Sequence, residues 1–279
     1  MSAFFLIGHP LGHSMSPFLH ERLFAGGKQS GATYELCDLA PEQLADGVAK
    51  LRQTAVGMNV TIPYKQAVIP LLDRLDASAA RYGAVNTVCF TEDGAIGYNT
   101  DGIGFRYALR EAGVKLAGKV GVIGCGGAAR VFLCEAAAAG CEIVNIVRAT
   151  AIDKAEALRD FVKTTVAAVP YTIALEAAGE FDLLINATPV GMYPKVDACP
   201  VDFAAVTAGA VFDAVYNPRE TTFIQAARAN GATTVGGMPM LVGQAAAAQT
   251  IWYGAQFDAD TLHQLIEDAG TAMEEGRFG

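Results

Sequence analysis

Short apolar segments alternate with helical segments along the whole chain, and this alternation limits the possible folds more than any other feature. The first series begins with the strand-like FFLIG at residues 4–8 and the helical SPFLHERLF at 16–24. It continues through a strand at 33–39, a helix at 41–53, the strand AVGMNVT, a helix at 65–75 and the strands VNTVCF and AIGYN. Such alternation predicts an open, mostly parallel α/β sheet.

A second series of the same kind starts at KVGVIG, residues 119–124, and runs through DLLINAT at 182–188 and VFDAVY at 211–216. The last forty or so residues are again helical in pattern. The chain has 279 residues, of which 52% are hydrophobic, which is typical of two packed domains. The domain boundary is predicted from the glycine-rich motif that begins the second series.

Charge and cysteine usage exclude several classes of function. The net charge is -9 and lysine and arginine are not clustered, so no nucleic-acid partner is expected. The six cysteines have no C-x-x-C spacing, which favours reduced structural thiols over a metal site or a disulfide framework. The N-terminus lacks the basic region of a signal peptide, and no apolar run approaches the ~20 residues of a membrane span. We therefore expect a cytoplasmic protein that does not enter membranes.

A glycine-rich loop follows the first strand of the second series. Gly124-Cys125-Gly126-Gly127-Ala128-Ala129 fits G-x-G-x-x-A between a strand and an alanine-rich helix. Glycines there allow a tight turn and a close approach of the backbone, so that a dinucleotide pyrophosphate can lie at the helix N-terminus. The alternative is an ordinary tight turn between a strand and a helix.

The next strand ends in NIVRAT, and its last residues indicate which dinucleotide would bind. An acidic residue at this point would contact the adenine ribose, whereas an arginine suits a 2′-phosphate. The segment offers Arg148 and no acid before Asp153, which favours NADP. The alternative is a solvated arginine in a loop.

Polar side chains collect at the ends of the predicted strands in the first series. These residues are Ser14, Ser16, Asn59, Thr61, Lys65, Asn86, Asn99, Thr100 and Asp101. Each alone reads as a turn or cap residue; Ser16-Pro17, for example, reads as a helix N-cap followed by a first-turn proline. Together they offer hydroxyls, amides, one cation and one carboxylate, which suits a small polyhydroxylated acid. His13, beside Ser14, is a further candidate for the same pocket.

Eight motifs, taken together, resemble the shikimate/quinate dehydrogenase family. They are GHPLGHSMSPFLH, GMNVTIPYK, GAVNTV, GYNTDGIGF, VIGCGGAAR, NATPVGM, DAVYNPRETTFI and GGMPMLVGQAAAAQTIWYG, in family order from residue 8 to about 257. The resemblance implies NAD(P)-dependent, reversible oxidation of shikimate to 3-dehydroshikimate in aromatic amino-acid biosynthesis. It implies a substrate domain formed by residues 1–101 and completed by C-terminal helices in 237–279, with a Rossmann-type dinucleotide domain at 102–236. A monomer or homodimer without a metal is expected.

The same resemblance assigns roles to individual residues. It implies that Lys65 and Asp101 are the catalytic pair and that Ser14 and Ser16 bind the substrate carboxylate. Ligands for the rest of the substrate would be Thr61, Asn86, Asp101, Tyr216 and Gln244. The pyrophosphate loop would be Gly124, Gly126, Gly127 and Ala128. Thr188, Met192, Gly237 and Met240 would border the nicotinamide. Arg148 would bind the adenosine phosphate, on the argument from the strand end given above rather than from the resemblance.

Some positions depart from the family pattern and keep alternatives open. Val147-Arg148-Ala149 replaces a usual Asn-Arg-Thr, and the next basic residue, Lys154, comes six positions after Arg148. NAD therefore remains possible beside NADP. Glu21 stands where asparagine is usual, and Pro239 replaces a commoner glycine. A quinate or aminoshikimate dehydrogenase is the alternative enzyme, and a non-catalytic sensor of dinucleotide or shikimate is the alternative from another class.

Overall fold

The computed structural model describes residues 2–12, 14–27, 29 and 31–276, and divides them into two compact units. Unit 1 comprises residues 1–104 and 242–279, and unit 2 comprises residues 105–241. His13, a candidate from the sequence, lies outside the described residues. The predicted fold class, two α/β domains with parallel-rich sheets, is confirmed.

Unit 1 contains a six-stranded mixed sheet flanked by helices. Its strands are β1 (Ala3–Gly8), β2 (Thr33–Asp38), β3 (Gly57–Val60), β4 (Arg74–Leu75), β5 (Thr87–Thr91) and β6 (Gly94–Tyr98), in the order β2-β1-β3-β5-β6-β4. Its helices are α1 (Ser16–Gly26), α2 (Leu44–Thr54), α3 (Ala77–Tyr82), the start of α4 (Asp101–Glu111), most of α8 (Met238–Tyr253), and α9 (Ala259–Glu274). The pairings of β1 with β2, β1 with β3 and β4 with β6 are parallel, whereas β5 pairs antiparallel with β3 and β6.

The C-terminal helix α8 packs against the N-terminal strands of unit 1, and α9 packs against α1, so both return to the N-terminal part as the resemblance implied. The Trp252 indole of α8 lies 4.5 Å from the Phe4 ring of β1, measured between ring centroids. Its Nε1 donates to the Val88 carbonyl oxygen over 2.9 Å. The indole passes directly over Gly57, where any Cβ would overlap it. A glycine at this strand position therefore permits the close helix–sheet contact.

Unit 2 is a parallel six-stranded sheet with helices on its faces. Its strands are β7 (Lys119–Ile123), β8 (Glu142–Ile146), β9 (Tyr171–Ala174), β10 (Gly179–Asn186), β11 (Val206–Asp213) and β12 (Thr233–Val235), in the order β12-β11-β10-β7-β8-β9. Its own helices are α5 (Gly127–Ala138), α6 (Ile152–Thr165) and α7 (Thr222–Ala229). This is the doubly wound order. The chain adds β7, β8 and β9 towards one edge of the sheet, then crosses back and adds β10, β11 and β12 towards the other edge, so the strand order changes between the neighbours β7 and β10. Ligands of such sheets bind at the carboxyl ends of the strands at that point.

One predicted helix is wrong. Residues 65–75 form turns, a short 3₁₀ helix at Ile69–Leu71 and the strand β4 instead of an α-helix. Pro70 explains the difference, because it lacks the N–H that an α-helix needs and disfavours helical backbone at the residue before it. None of the helices in the described part of the chain is long and apolar enough to cross a membrane.

Candidate active site

Lys65 and Asp101 form a close ion pair in unit 1. Lys65 lies in the turn segment that follows β3, and Asp101 is the first residue of α4. The Lys65 Nζ lies 2.6 Å from the Asp101 Oδ2, although the two residues are 36 positions apart. The Asp101 side chain is only 4% exposed, whereas that of Lys65 is 23% exposed. The lysine therefore remains accessible to a small molecule while the carboxylate is held inside.

Asn86 joins this pair to a residue from the far end of the chain. Its Nδ2 donates to the Asp101 Oδ1 over 2.8 Å and to the Gln244 Oε1 over 3.2 Å. The backbone N–H of Thr100 donates to the Asn86 Oδ1 over 2.8 Å, which fixes the orientation of the amide. The structure thus brings together four of the predicted site residues, Lys65, Asn86, Asp101 and Gln244.

The two predicted carboxylate-binding serines lie side by side at the start of α1. The Ser14 Oγ donates to the Ser16 Oγ over 3.2 Å, and the Ser16 N–H donates back to the Ser14 Oγ over the same distance. The prediction that Ser16 caps the helix is wrong, because the N-cap position is Met15 and Ser16 is already helical. Thr61, the remaining predicted ligand of unit 1, lies directly after β3 and is half-buried.

A buried polar network behind these residues includes side chains that the sequence did not single out. The Tyr34 hydroxyl donates to the Asn59 Oδ1 over 2.7 Å, and the Asn59 Nδ2 donates to the Thr87 Oγ1 over 3.0 Å. Thr87 donates in turn to the Asn86 Oδ1 over 2.9 Å. The alternating pattern of β2 and β5 could have marked Tyr34 and Thr87 as inward-facing, but not as partners.

His20, on α1, contacts Tyr34 of this network on one side and Gln249 on the other. Its ring stacks on Tyr34 with centroids 4.2 Å apart, and its Nδ1 lies 2.9 Å from the Gln249 Nε2 of α8. Burial lowers the pKa of His20 to about 3, despite an opposing hydrogen bond with Asn59. The imidazole is therefore neutral at physiological pH and supports the site rather than carrying a charge.

The glycine loop of unit 2 leaves space beside the N-terminus of α5. Gly124 directly follows β7 with a φ of 109°, a conformation that favours glycine. Among the described residues, no atom comes within 4 Å of a Cβ placed on Gly126 or Gly127. Packing against the described residues does not require glycine at these two positions, whereas the close approach of a ligand would. The leading N–H groups of α5, from Gly127 and Ala128 onward, lack partners within the helix and suit an anion. The loop therefore fits a dinucleotide pyrophosphate.

Arg148 lies at the corresponding end of β8, next to β7 in the sheet. It is exposed and is the N-cap residue of the short 3₁₀ helix Ala149–Ala151. Lys154, the next basic residue, is exposed on α6. Neither side chain is in an ion pair among the described residues, so both are accessible to an anionic group.

The remaining predicted residues of unit 2 follow β10, β11 and β12. Thr188 donates to the Asn186 Oδ1 over 2.6 Å, and the neighbouring Met192 is 44% exposed. Tyr216 follows β11, and burial raises the pKa of its hydroxyl. Gly237 follows β12, and a Cβ there would lie 2.6 Å from the Ala214 carbonyl oxygen. Met240 is buried in the first turn of α8.

Comparison with known proteins agrees with the geometry of both units. Residues 6–88 match the family model of the shikimate dehydrogenase substrate binding domain. A curated relative, the shikimate dehydrogenase (NADP(+)) of Moorella thermoacetica, is 39% identical over 97% of this chain and 94% of its own length.

Three solved structures share the fold over nearly the whole chain. The shikimate 5-dehydrogenase of Thermus thermophilus, solved with NADP(H) and shikimate, is 35% identical with a TM-score of 0.85, over 96% of this chain and 100% of its own. The Listeria monocytogenes enzyme, solved with shikimate and NAD, is 27% identical with a TM-score of 0.84, over 95% and 96% of the two chains. A 5-ketofructose reductase from Gluconobacter is 33% identical with a TM-score of 0.83, over 96% and 98%.

The resemblance inferred from the eight motifs is therefore confirmed by a family model, by curated relatives and by solved structures. Residues 6–88 cover the first three of the eight motifs, and the relatives extend the match past Asp101 and across the dinucleotide loop to the C-terminal helices. The chain belongs to the shikimate dehydrogenase family.

Proposed function

We propose that this protein catalyses the reversible, NADP-dependent oxidation of shikimate to 3-dehydroshikimate, with Lys65 and Asp101 as the proton-transfer pair. The observation that carries the proposal is the 2.6 Å contact between Lys65 and Asp101 within a cluster that also contains Asn86 and Gln244. The curated relatives at similar identity are named as NADP(+)-dependent shikimate dehydrogenases, which supports both the substrate and the cofactor.

Oxidation of a secondary alcohol removes a hydride from carbon and a proton from the hydroxyl. The oxidised nicotinamide, when bound, accepts the hydride. The Lys65 amine takes the hydroxyl proton, and Asp101 holds the lysine in place through its hydrogen bond. In the reverse direction the Lys65 ammonium stabilises the developing alkoxide and returns the proton to it. The buried Asp101 carboxylate, held by Asn86, also accepts a hydrogen bond from a substrate hydroxyl.

The other polar residues orient the substrate around this pair. Ser14 and Ser16 present two adjacent hydroxyls at the start of α1, which suits a carboxylate. Thr61, Asn86 and Gln244 offer hydroxyl and amide groups for the ring hydroxyls, and Tyr216 supplies a phenol. The paired serines favour shikimate over quinate, and quinate or aminoshikimate is the alternative substrate. The similarity to a 5-ketofructose reductase gives a reason to test the substrate directly.

We propose that residues 102–236 bind the dinucleotide, and that residues 1–101 and 237–279 bind the substrate. The open space beside Gly126 and Gly127 supports pyrophosphate binding at α5. Thr188, Met192, Gly237 and Met240 are proposed to border the nicotinamide. Exposed Arg148, with Lys154 beyond it, supports NADP because guanidinium pairs with a phosphate through two hydrogen bonds.

The test follows nicotinamide absorbance with shikimate, quinate and aminoshikimate, each with NADP and with NAD. We expect the highest kcat/KM for shikimate with NADP. Lys65→Met should lower kcat by about 10²- to 10⁴-fold, which is the usual contribution of a positioned acid–base group. Lys50→Met, at an exposed lysine of α2, is the control and should leave kcat unchanged. Near-normal turnover of Lys65→Met would refute its role, and tight dinucleotide binding without turnover of any acid would favour a sensor.

A further inference from the structure

We propose that Asp213 is a positioning residue for the reaction, a buried carboxylate that holds the loops carrying Thr188, Met192 and Tyr216 in their working arrangement. The inference rests on the proposed function, because it assigns those loops to the nicotinamide and the substrate. Asp213 itself is the last residue of β11 and is 0% exposed, so it contacts neither.

Three donors converge on this carboxylate. The Asp213 Oδ1 accepts from the Asn186 Nδ2 over 2.9 Å and from the Val215 N–H over 3.0 Å. Its Oδ2 accepts from the Thr221 Oγ1 over 2.6 Å. No ion pair involving Asp213 is present in the described part of the chain. Burial raises the pKa of Asp213, and its hydrogen bonds oppose that shift. A buried acid held only by neutral donors is costly, which calls for a reason beyond packing.

The first donor connects Asp213 to the loop after β10. Asn186 is the last residue of β10 and lies directly opposite Asp213 in the parallel pairing. Its Oδ1 accepts from both the N–H and the Oγ1 of Thr188, over 3.0 and 2.6 Å. Its Nδ2 also donates to the Val190 carbonyl over 3.2 Å. Because the carboxylate accepts from this Nδ2, it fixes which way the Asn186 amide points, and the amide in turn sets the path of residues 187–190.

The other two donors fix both ends of the segment that contains Tyr216. Val215 precedes this tyrosine, and Thr221 follows it as the N-cap of α7, where its Oγ1 accepts from the Ile224 N–H. The same segment accepts backbone hydrogen bonds from neighbouring loops. The Gly237 N–H donates to the Val215 carbonyl over 3.2 Å, and the Tyr193 N–H donates to the Asn217 carbonyl over 3.0 Å. The Asp213 side chain thus connects the loops after β10 and β11. The loop after β11 in turn supports the loop after β12, because it accepts the hydrogen bond from Gly237.

The chemistry of the carboxylate predicts an order among its variants. Asp213→Ala removes both oxygens and leaves three buried donors without acceptors. Asp213→Asn keeps one oxygen for Asn186 and Val215, and its amide N–H can donate to the Thr221 hydroxyl, which can also accept. The asparagine variant should therefore preserve the loop geometry, and the alanine variant should not.

The experiment compares Asp213→Ala, Asp213→Asn and the control Val211→Ala for urea unfolding, for NADPH binding by its fluorescence, and for kcat and KM. Val211 is 0% exposed and lies two residues earlier on β11, so its truncation removes packing but none of the three hydrogen bonds. We expect kcat of Asp213→Ala to fall by about 10- to 100-fold, the scale of a small misplacement of reacting groups, with a raised KM for NADP. Asp213→Asn should stay within about threefold of the wild type, and Val211→Ala should lose stability but keep both constants.

Wild-type kcat and KM in folded Asp213→Ala would overturn the proposal. So would equal losses in Asp213→Ala and Val211→Ala at equal stability. If Asp213→Ala does not fold, Thr221→Val replaces it, since it deletes one donor only. Unchanged constants in that variant would also overturn the proposal, and a smaller change in the same direction would support it. A wild-type protein that neither binds NADPH nor oxidises shikimate would refute the proposed function instead, before any variant is compared.

Discussion

Gly126→Ala should weaken cofactor binding without unfolding the protein. Gly126 has a φ of -83° and a ψ of -168°, which is extended backbone that any residue adopts. An added methyl group would meet no described atom within 4 Å. Two small effects on folding oppose each other. Reduced freedom of the unfolded chain stabilises by about 0.4–1 kcal/mol, and alanine is a poorer N-cap than glycine by a similar amount.

The cost should appear in the complex with the dinucleotide. The methyl group would occupy the space that lets the backbone approach the pyrophosphate. At least one charge-assisted hydrogen bond between a backbone N–H and the pyrophosphate would then be lost. Such a bond contributes about 1.5–3 kcal/mol. Because about 1.4 kcal/mol corresponds to a factor of ten, the KM for NADP should rise by about 10- to 100-fold. A loss of binding common to ground and transition states leaves kcat nearly unchanged.

Steady-state kinetics with varied NADP and saturating shikimate, together with urea unfolding, measure the two effects separately. Gly237→Ala provides the contrast, because its Cβ would lie 2.6 and 2.8 Å from the carbonyl oxygens of Ala214 and Val215. That variant should lose about 1–3 kcal/mol of stability through overpacking. A wild-type KM in Gly126→Ala, or a loss of stability like that of Gly237→Ala, would refute the reasoning.

Three further predictions follow from other parts of the molecule. Arg148→Ser should lower kcat/KM for NADP by about tenfold or more, because a charged hydrogen bond to phosphate contributes about 1.5–3 kcal/mol. The kcat/KM for NAD should stay unchanged, and equal losses with both cofactors would contradict this prediction. Since the pKa of buried His20 is about 3 in the fold and near 6.5 when unfolded, its contribution to stability is complete above pH 6.5 and declines as the pH falls towards 3. Between pH 6.5 and 5 this amounts to about 1.6 kcal/mol, which His20→Gln should abolish in urea titrations at the two pH values. Trp252→Phe removes the donor to the Val88 carbonyl and should cost about 1–3 kcal/mol of stability while kcat and KM stay at wild-type values.

Much of the candidate site could be predicted from local pattern. Strand alternation located the ends of β3, β5 and β7, and a polar residue directly after a strand is visible in the sequence. The glycine loop is equally local, because strand, loop and helix are consecutive. The family motifs then added the expectation that Lys65 and Asp101 meet, and their 2.6 Å contact agrees with it.

Other features arise only in the folded chain. Asn86 and Gln244 are 158 residues apart, so no local pattern could show that their side chains meet. The helix predicted at residues 65–75 does not form. Apolar residues recur there at helical spacing, but Pro70 disfavours an α-helix and the end of the segment pairs with β6 as strand β4. Asp213 looked like an ordinary strand residue, and its three donors come from β10, from its own loop and from α7.

The sequence by itself determined the two α/β units, the glycine loop and the polar residues at the strand ends, because those features depend on neighbours a few positions away. Only the tertiary structure decided the order and direction of the strands in unit 1, the neutral buried state of His20 and the convergence of donors on Asp213. These depend on burial and on contacts between distant segments. Such contacts form when whole faces pack, and no short stretch of sequence encodes them alone.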